Sequence, residues 1–559
     1  MQADSIRVLI IGGYGTFGGR IARLLADESR LTLLIGGRTM SKANAFIYEF
    51  KRQADMVAVK FDRHADIEQQ LRDLEADFVV DASGPFNAYG TDPYRVIKAA
   101  IACRVHYLDI GDTSDFVCGI EECNASAVEN DVFALSGAST CVALSSAVYR
   151  RLARDISRVK TISGGIAPSP HAGVGLSVIR SVAQSAGKAV KGMRNNEVED
   201  LFPFTESKRF TIAPPGHVPL HRRRFSLADV PDLVLAKTVE PSVENVWFSA
   251  APVPGIYHAI LRVLARAVKR GWLRSVDPLS PLMFKAMHDW SWGEHRGGMF
   301  VEFRGETNAG ASIERSWHLV AEENDGPMVP AMAVAAIIRK CRDGQWPAPG
   351  ARPALIELEL DDFAYYFRQM DIHTGVRSGS GADGWPVFRE VLDNAWEELP
   401  TEVRQLHDVS GTQQHSGRAD VIRGESVMSR LVGRVIGFPP SATDIPVTVS
   451  ISRTDEHEQW DRNFDGHTFS SVLSVGKGRL SNLVCERFGA AKFGMALQLE
   501  DGRLNYVPRG WTFLGIPMPR WLAPQGTMCE YVEDEKFHFH VEINLPIVGH
   551  VVTYKGFLL

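Results

Sequence analysis

Apolar residues fill positions 8–11, between Arg7 and the pair Gly12-Gly13. A run this short, bounded by glycine, reads as a buried parallel strand. Ile21, Leu24 and Leu25 then recur at helical spacing on one face. The pattern repeats down the chain. "LTLLIGG" (31–37), "MVAVKFD" (56–62), "ADFVVDASGPF" (76–86), "RVHYLDIGD" (104–112) and "VFALSGAST" (132–140) are short apolar runs, and helical stretches such as "YRVIKAAIACR" (94–104) lie between them. Alternating strand and helix predicts a doubly wound parallel sheet, with ligands at the carboxyl ends of its strands.

The pattern changes after residue 150. "RVKTISGGIAP" (158–168), "GMFVEFRGETN" (298–308) and "ASIERSWHLVAEE" (311–323) are β-branched and alternating, so residues 151–371 read as an α+β domain. Within it, "GIYHAILRVLARAVKRGWLRS" (255–275) has an apolar face of Ile256, Ile260, Leu261, Val263, Leu264 and Val268. Arg262, Arg266, Lys269, Arg270 and Arg274 make it basic, and Trp272 lies near its end. This fits a helix at a lipid interface, hence a peripheral membrane contact; it also fits the commoner case of a helix packed on its own protein with a wet basic face. Residues 372–385, rich in Gly and Ser, predict a linker. Residues 386–559 begin with one helical stretch (386–406), then give successive alternating strands such as "IPVTVSIS" and "FHFHVEINL". Turn residues such as Asp501-Gly502 separate them, which predicts an antiparallel, β-rich domain, curved or barrel-like.

Composition narrows the class. The chain has 559 residues, is 45% hydrophobic and 23% charged, and carries a net charge of −6. That is ordinary for a globular protein, with no global basic field for nucleic acid. Seven scattered cysteines form no CxxC pair, which favours reduced thiols in a cytoplasmic setting. The first strand starts too early to leave room for a secretory signal.

The first strand runs into Gly13-Tyr14-Gly15-Thr16-Phe17-Gly18, a GxGxxG followed by a helix. Gly13 is expected to turn the chain tightly, Gly15 to admit a pyrophosphate, and Gly18 to let helix and strand pack closely. The helix N-terminus would face the phosphates. The second strand ends in Gly36-Gly37-Arg38-Thr39, with Lys42 one turn into the next helix. No carboxylate stands where an NAD protein holds the ribose 2′-hydroxyl. Arg38, with Thr39 and Ser41 beside it, suits a 2′-phosphate, so NADP(H) is the expected cofactor. Asp62 at the third strand tip is placed near the adenine. Ser83, Gly84 and Pro85 after the fourth strand would let the nicotinamide half pass. Residues 1–150 thus form a Rossmann-type cofactor domain.

"GGYGTFGGRIARLL", "GGRTMSKA", "DASGPFNAYG", "HYLDIGD" and "SGAST" resemble the NADP-binding domain of the saccharopine dehydrogenase-like oxidoreductases. A weaker likeness runs to about residue 365, where "DGPMVPAMAVAAIIRKCRDGQWPAPG" resembles the helix that returns to the first domain. The resemblance implies redox chemistry at a carbon–nitrogen bond, or in some relatives reduction of an enoyl lipid, and it suggests that residues 151–371 form the substrate floor and a homodimer surface. "NAWEELPTEVRQLHD", "LVGRVIGFPP", "EQWDRNFDG" and the final strands resemble a domain of unknown function that often accompanies it in bacterial proteins.

Such chemistry needs a side chain to handle a proton. His106, Tyr107 and Asp109, read as the tip of the fifth strand, are the candidates, though they equally suit a role in shaping the cofactor pocket. His171 is a weaker one. His467, His538, His540 and His550 match no strong ligand spacing, so no metal is expected. The expectation is an NADP(H)-dependent oxidoreductase acting on an unidentified small or lipid-like substrate. The alternative is a non-catalytic nucleotide-binding scaffold whose β-rich C-terminal domain binds a ligand or partner.

Overall fold

The computed structural model describes residues 5–50, 54–86, 89–379 and 384–559. The chain divides into two compact units. The first comprises residues up to Arg209 and Arg223–Ile372; the second comprises Phe210–Arg222 and His373–Leu559.

The first unit opens with strands β1 (Ile6–Ile11), β2 (Leu31–Gly37), β3 (Asp55–Lys60), β4 (Phe78–Asp81), β5 (His106–Asp109) and β6 (Phe133–Ser136). They form a parallel sheet in the order β6-β5-β4-β1-β2-β3. Order reverses between β1 and β4, which opens a crevice at their carboxyl ends. The interior strands are buried on both faces, as their unbroken apolar runs require; Val8, Leu9, Ile10, Leu33 and Val80 are at most 1% exposed. Helix α1 (Thr16–Leu25) connects β1 to β2 and buries Ile21, Ala22 and Leu25.

Further along the chain come β7 (Arg158–Ala167), the hairpin β8 (Val190–Arg194) and β9 (Glu197–Leu201), β10 (Ser207–Ile212), β11 (Leu220–Leu227), β12 (Asn245–Ala250), β13 (Gly297–Glu306) and β14 (Ser312–Ala321), with Phe210–Arg222 of β10 and β11 belonging to the second unit. A mixed sheet runs β11-β12-β7-β13-β14. Helix Val329–Arg342 then packs against α1, and β15 (Gly350–Pro353) extends the parallel sheet beside β6.

The segment read as a linker begins differently. Ile372–Arg377 is instead a strand, β16, in which Ile372 is buried and Arg377 donates to the carbonyls of Ala213 and Val391. Residues 380–383 of that segment lie outside the described residues. The single helix expected over 386–406 is broken into Val387–Leu392, a 3₁₀ turn Asp393–Glu398, and Thr401–His407. Asp393 has a positive φ of 49°, and Pro400 cannot continue a helix from Leu399.

The second unit is built on β17 (Thr412–Arg423), β18 (Ala442–Arg453), β19 (Glu458–Phe464), β20 (His467–Val475), β21 (Val484–Phe488), β22 (Ala491–Glu500), β23 (Arg503–Phe513), β24 (Ile516–Pro517), β25 (Met528–Glu533), β26 (Lys536–Leu545) and β27 (Gly549–Leu558). Ten of them pair antiparallel in the ring β22-β21-β20-β19-β18-β17-β27-β26-β25-β23, closed by β22 against β23; β24 only folds back on β23. Closure removes the open edges of the sheet. Period-two residues fill its interior: Val447, Val449 and Ile451 from β18, Trp460 and Phe464 from β19, Phe537 and Phe539 from β26.

Candidate cofactor cleft

The first turn after β1 is made by Gly12, whose φ is +76°. The tight-turn role expected of Gly13 therefore belongs to its neighbour. Gly13 instead fills a space with no room for a side chain, since a Cβ there would stand 2.9 Å from the Ile10 carbonyl oxygen. Gly18 is pressed harder: its Cβ would sit 2.3 Å from the Gly12 oxygen. Helix α1 thus starts directly on the turn. Gly15 is its N-cap in an extended conformation, and no side chain caps that end. The first-turn amides are left for whatever enters the crevice.

A cleft of about 380 Å³ follows. It is lined by Tyr14, Gly15, Thr16 and Phe17 of the glycine loop and the start of α1, by Arg38 after β2, by Asp62 after β3, and by Ser83, Gly84 and Pro85 after β4. Nine of the residues singled out as cofactor ligands are thereby brought together. Gly13 and Gly18 support the turn from behind. Thr39 and Lys42 do not line the cleft; Thr39 is the N-cap of helix Met40–Tyr48, and its amide donates to the Tyr14 hydroxyl at 3.2 Å.

The wall after β4 is held by a buried carboxylate. Asp81 is fully buried at the end of β4. Its Oδ1 accepts from the Ser83 amide at 3.0 Å and the Ser83 hydroxyl at 2.7 Å, and its Oδ2 accepts from the Tyr89 hydroxyl at 2.9 Å. Arg63 lies 4.0 Å above the Tyr89 ring and donates to the Ser83 oxygen at 3.2 Å. Burial raises the Asp81 carboxyl above its ordinary value, while these donors pull it back.

The three residues considered for proton handling do not meet the cleft. His106 begins β5 rather than ending it, so it lies at the opposite end of the sheet. There its ring stacks on Phe133 at 4.3 Å and packs near Phe78 and Trp346, and its Nδ1 accepts from the Phe133 amide at 3.2 Å. Burial lowers its pKa. Tyr107 is fully buried within the sheet. Asp109 is also fully buried, and its Oδ1 accepts from the amides of Gly111 and Gly137 and from the Ser136 hydroxyl, at 2.8–2.9 Å. Burial pushes its carboxyl up to about 7. It ties the turns after β5 and β6 together. His171 is engaged elsewhere, stacked on His295 at 3.9 Å with its Nε2 3.3 Å from the Gly293 carbonyl.

The cleft contains a different carboxylate. Asp112, three residues past the end of β5, lines it with Ile110, and Ser177 and Val178 of helix Leu176–Ser185 face the same space. Asp112 is exposed to the cleft, although protein atoms crowd round its carboxyl. Burial, with the Asp229 carboxylate second, pushes it up to about 6. Gly12 and Asp112 had local signals in "GGYG" and "LDIGD": a second glycine, and a carboxylate just past a strand. Ser177 had none, because a distant segment brings it in. Among the described residues no cluster of His, Cys, Asp or Glu could hold a metal ion.

Residues 8–139 match the family model described as saccharopine dehydrogenase NADP binding domain, and residues 399–558 match domain of unknown function DUF4166. No curated protein matches the chain. Solved structures with a likeness include apo saccharopine dehydrogenase (L-Glu forming) from Saccharomyces cerevisiae, at 13% identity and a TM-score of 0.48, over 66% of this chain and 99% of that one. Another is a meso-dapdh mutant with DAP from Clostridium tetani E88, at 13% identity and a TM-score of 0.33, over 65% and 99%. The WlbA dehydrogenase from Thermus thermophilus, in complex with NAD and alpha-ketoglutarate, gives 12% identity and a TM-score of 0.28 over 64% and 91%. The chain joins a nicotinamide-dinucleotide-binding domain of the saccharopine dehydrogenase type, the mark of an NAD(P)-dependent oxidoreductase, to a C-terminal domain of the family DUF4166.

Proposed function

We propose that the protein is an NADP(H)-dependent oxidoreductase acting on an unidentified small or lipid-like substrate. The observation that carries the cofactor choice is Arg38: it follows directly on β2, lines the cleft, and has no acidic residue beside it from Ile35 to Lys42. A guanidinium there binds a 2′-phosphate, whereas a carboxylate would repel it. The glycine cradle fits the rest of the dinucleotide, since Gly15 leaves the α1 amides uncovered. Tyr14 and Phe17 bound the phosphate end, and Ser83, Gly84 and Pro85 bound the side where small residues leave room for a flat ring.

A bound dinucleotide would supply the hydride in reduction or accept it in oxidation. The chain must then supply a proton or remove one. Asp112 is the group placed for this, with a pKa of about 6 that leaves both protonation states populated near neutrality. Asp81 acts at one remove, orienting Ser83.

The test is titration calorimetry of NADPH and NADH. NADPH is expected to bind at least about tenfold tighter, and Arg38→Asp to erase or invert that preference. Equal affinities, unchanged in Arg38→Asp, would refute the cofactor assignment. The second reading, a nucleotide-binding scaffold without turnover, is favoured by one observation: none of His106, Tyr107 and Asp109 lines the cleft. NADPH that binds saturably, yet is never consumed with a panel of imines and enoyl thioesters, would support it.

A further inference from the structure

Helix Gly255–Lys269 has two apolar faces, and the fold uses only one. His258, Leu261 and Ala265 are buried, and Leu261 and Ala265 pack with Ala183, Ala186, Phe204 and Val276. On the other side Ile256, Ile260 and Val263 stand in water, Val263 being 66% exposed. Their spacing of four and three residues makes one stripe. A bare apolar stripe on a helix already anchored by its opposite face is not needed for folding.

The next helix extends that surface. Tyr257 donates its hydroxyl to the Ala286 carbonyl at 2.9 Å, which holds helix Ser280–Asp289 beside the start of the first. The Tyr257 ring lies 6.3 Å from that of Trp292. Leu282, Trp290 and Trp292 are all more than half exposed, and so is Trp272 beyond the end of the first helix, at 77%. Tryptophan concentrates where an apolar layer meets water.

Charge selects the partner. Residues 255–292 hold six Arg and Lys against two acids, Asp277 and Asp289, in a chain whose net charge is −6. Lys269, Arg270 and Arg274 are exposed at the end of the stripe, and Lys285 is exposed on the second helix. A twofold contact between two copies of this surface would set the same cations against each other. A bilayer with anionic headgroups accepts both features at once, taking the apolar residues into its interface and the cations at its surface.

We infer that the two helices over residues 255–292 form a docking surface for an anionic membrane. The inference is independent of the cofactor assignment, since no residue of the dinucleotide cleft takes part. The contact is peripheral: among the described residues no helix is long and apolar enough to cross a membrane.

The experiment is co-sedimentation of the full chain with vesicles of phosphatidylcholine alone or with a third phosphatidylglycerol. At least about tenfold greater partitioning to the anionic vesicles is expected, falling steeply in 0.5 M salt. Two variants separate the contributions. Ile260→Asp/Val263→Asp removes the apolar stripe at exposed sites, and Lys269→Glu/Arg270→Glu/Arg274→Glu reverses the cations. Each is expected to cut anionic-vesicle binding by about tenfold or more while melting temperature and NADPH affinity hold. Equal partitioning to both vesicle types, or binding that neither variant changes, would overturn the inference. So would failure to bind vesicles together with a concentration-dependent dimer that Ile260→Asp/Val263→Asp dissociates, which would assign the surface to a second copy.

Discussion

The ring of Tyr14 lies against the backbone of Gly37: a Cβ at position 37 would stand 2.4 Å from Tyr14 Cε1 and 2.5 Å from its hydroxyl oxygen. The same hydroxyl accepts from the Thr39 amide. One aromatic side chain in the glycine loop therefore sets the position of the β2 tip, and with it Arg38. Gly37→Ala is expected to displace the Tyr14 ring and weaken NADPH binding severalfold, with a stability change of only about 1 kcal/mol because the ring can swing aside. Tyr14→Ala in that background should add little, since both changes remove one contact. Calorimetric affinities and melting temperatures of the two single variants and the double variant check this.

Asp112 should govern the pH dependence of turnover. With its carboxyl near 6, the protonated form is lost as pH rises through that value, so the reduction limb of the reaction should decline above about pH 6 and the oxidation limb should rise. Asp112→Asn should remove this titration from kcat/KM profiles while NADPH affinity holds. Asp229→Asn, by deleting a like charge, should move the titration to lower pH.

Asp109 makes the opposite kind of prediction, about stability. Its carboxyl is raised to about 7 in the folded state, so the folded form holds a proton that the unfolded form gives up near 4. Its contribution is full below about pH 4 and is lost as pH rises towards 7. Asp109→Asn keeps an acceptor for Gly111, Ser136 and Gly137 without the ionisation. Its melting temperature relative to the parent should therefore improve as pH rises across that window. Asp109→Ala strands three donors and should destabilise the fold by about 2–4 kcal/mol below about pH 4, and by less as pH rises towards 7, as read by urea unfolding.

Inside the barrel, Glu530 accepts from the Tyr506 hydroxyl at 2.7 Å and lies 2.6 Å from His407 Nε2, whose ring stacks on Phe388 at 3.6 Å. Removing the carboxylate leaves two buried polar groups without this partner. Glu530→Ala should destabilise the second unit by about 2–4 kcal/mol, and Glu530→Gln by less. NADPH affinity of the first unit provides the control and should not move.

The sequence by itself determined most of the elements and the glycine-rich turn after the first strand, though not strand β16 or the breaks within 386–406. Short apolar runs bounded by glycine encode the parallel strands. Period-two alternation encodes the barrel strands. The bare glycines, with Arg38 after β2, encode a dinucleotide cradle. These signals are local: burial of a strand or helix face, and the space a missing side chain leaves, act over a few residues. Tertiary structure decided which end of an element meets the cleft. β5 starts at His106, and its parallel direction puts that histidine at the far end of the sheet and brings Asp112 to the ligand side. It also decided that Gly12 rather than Gly13 takes the positive φ, that ten barrel strands close on themselves, and that helix Gly255–Lys269 buries one apolar face while exposing another. Periodicity ranks positions along one element by hydrophobicity. Which of two apolar faces is covered depends on partners far away in the chain, and no local pattern encodes those.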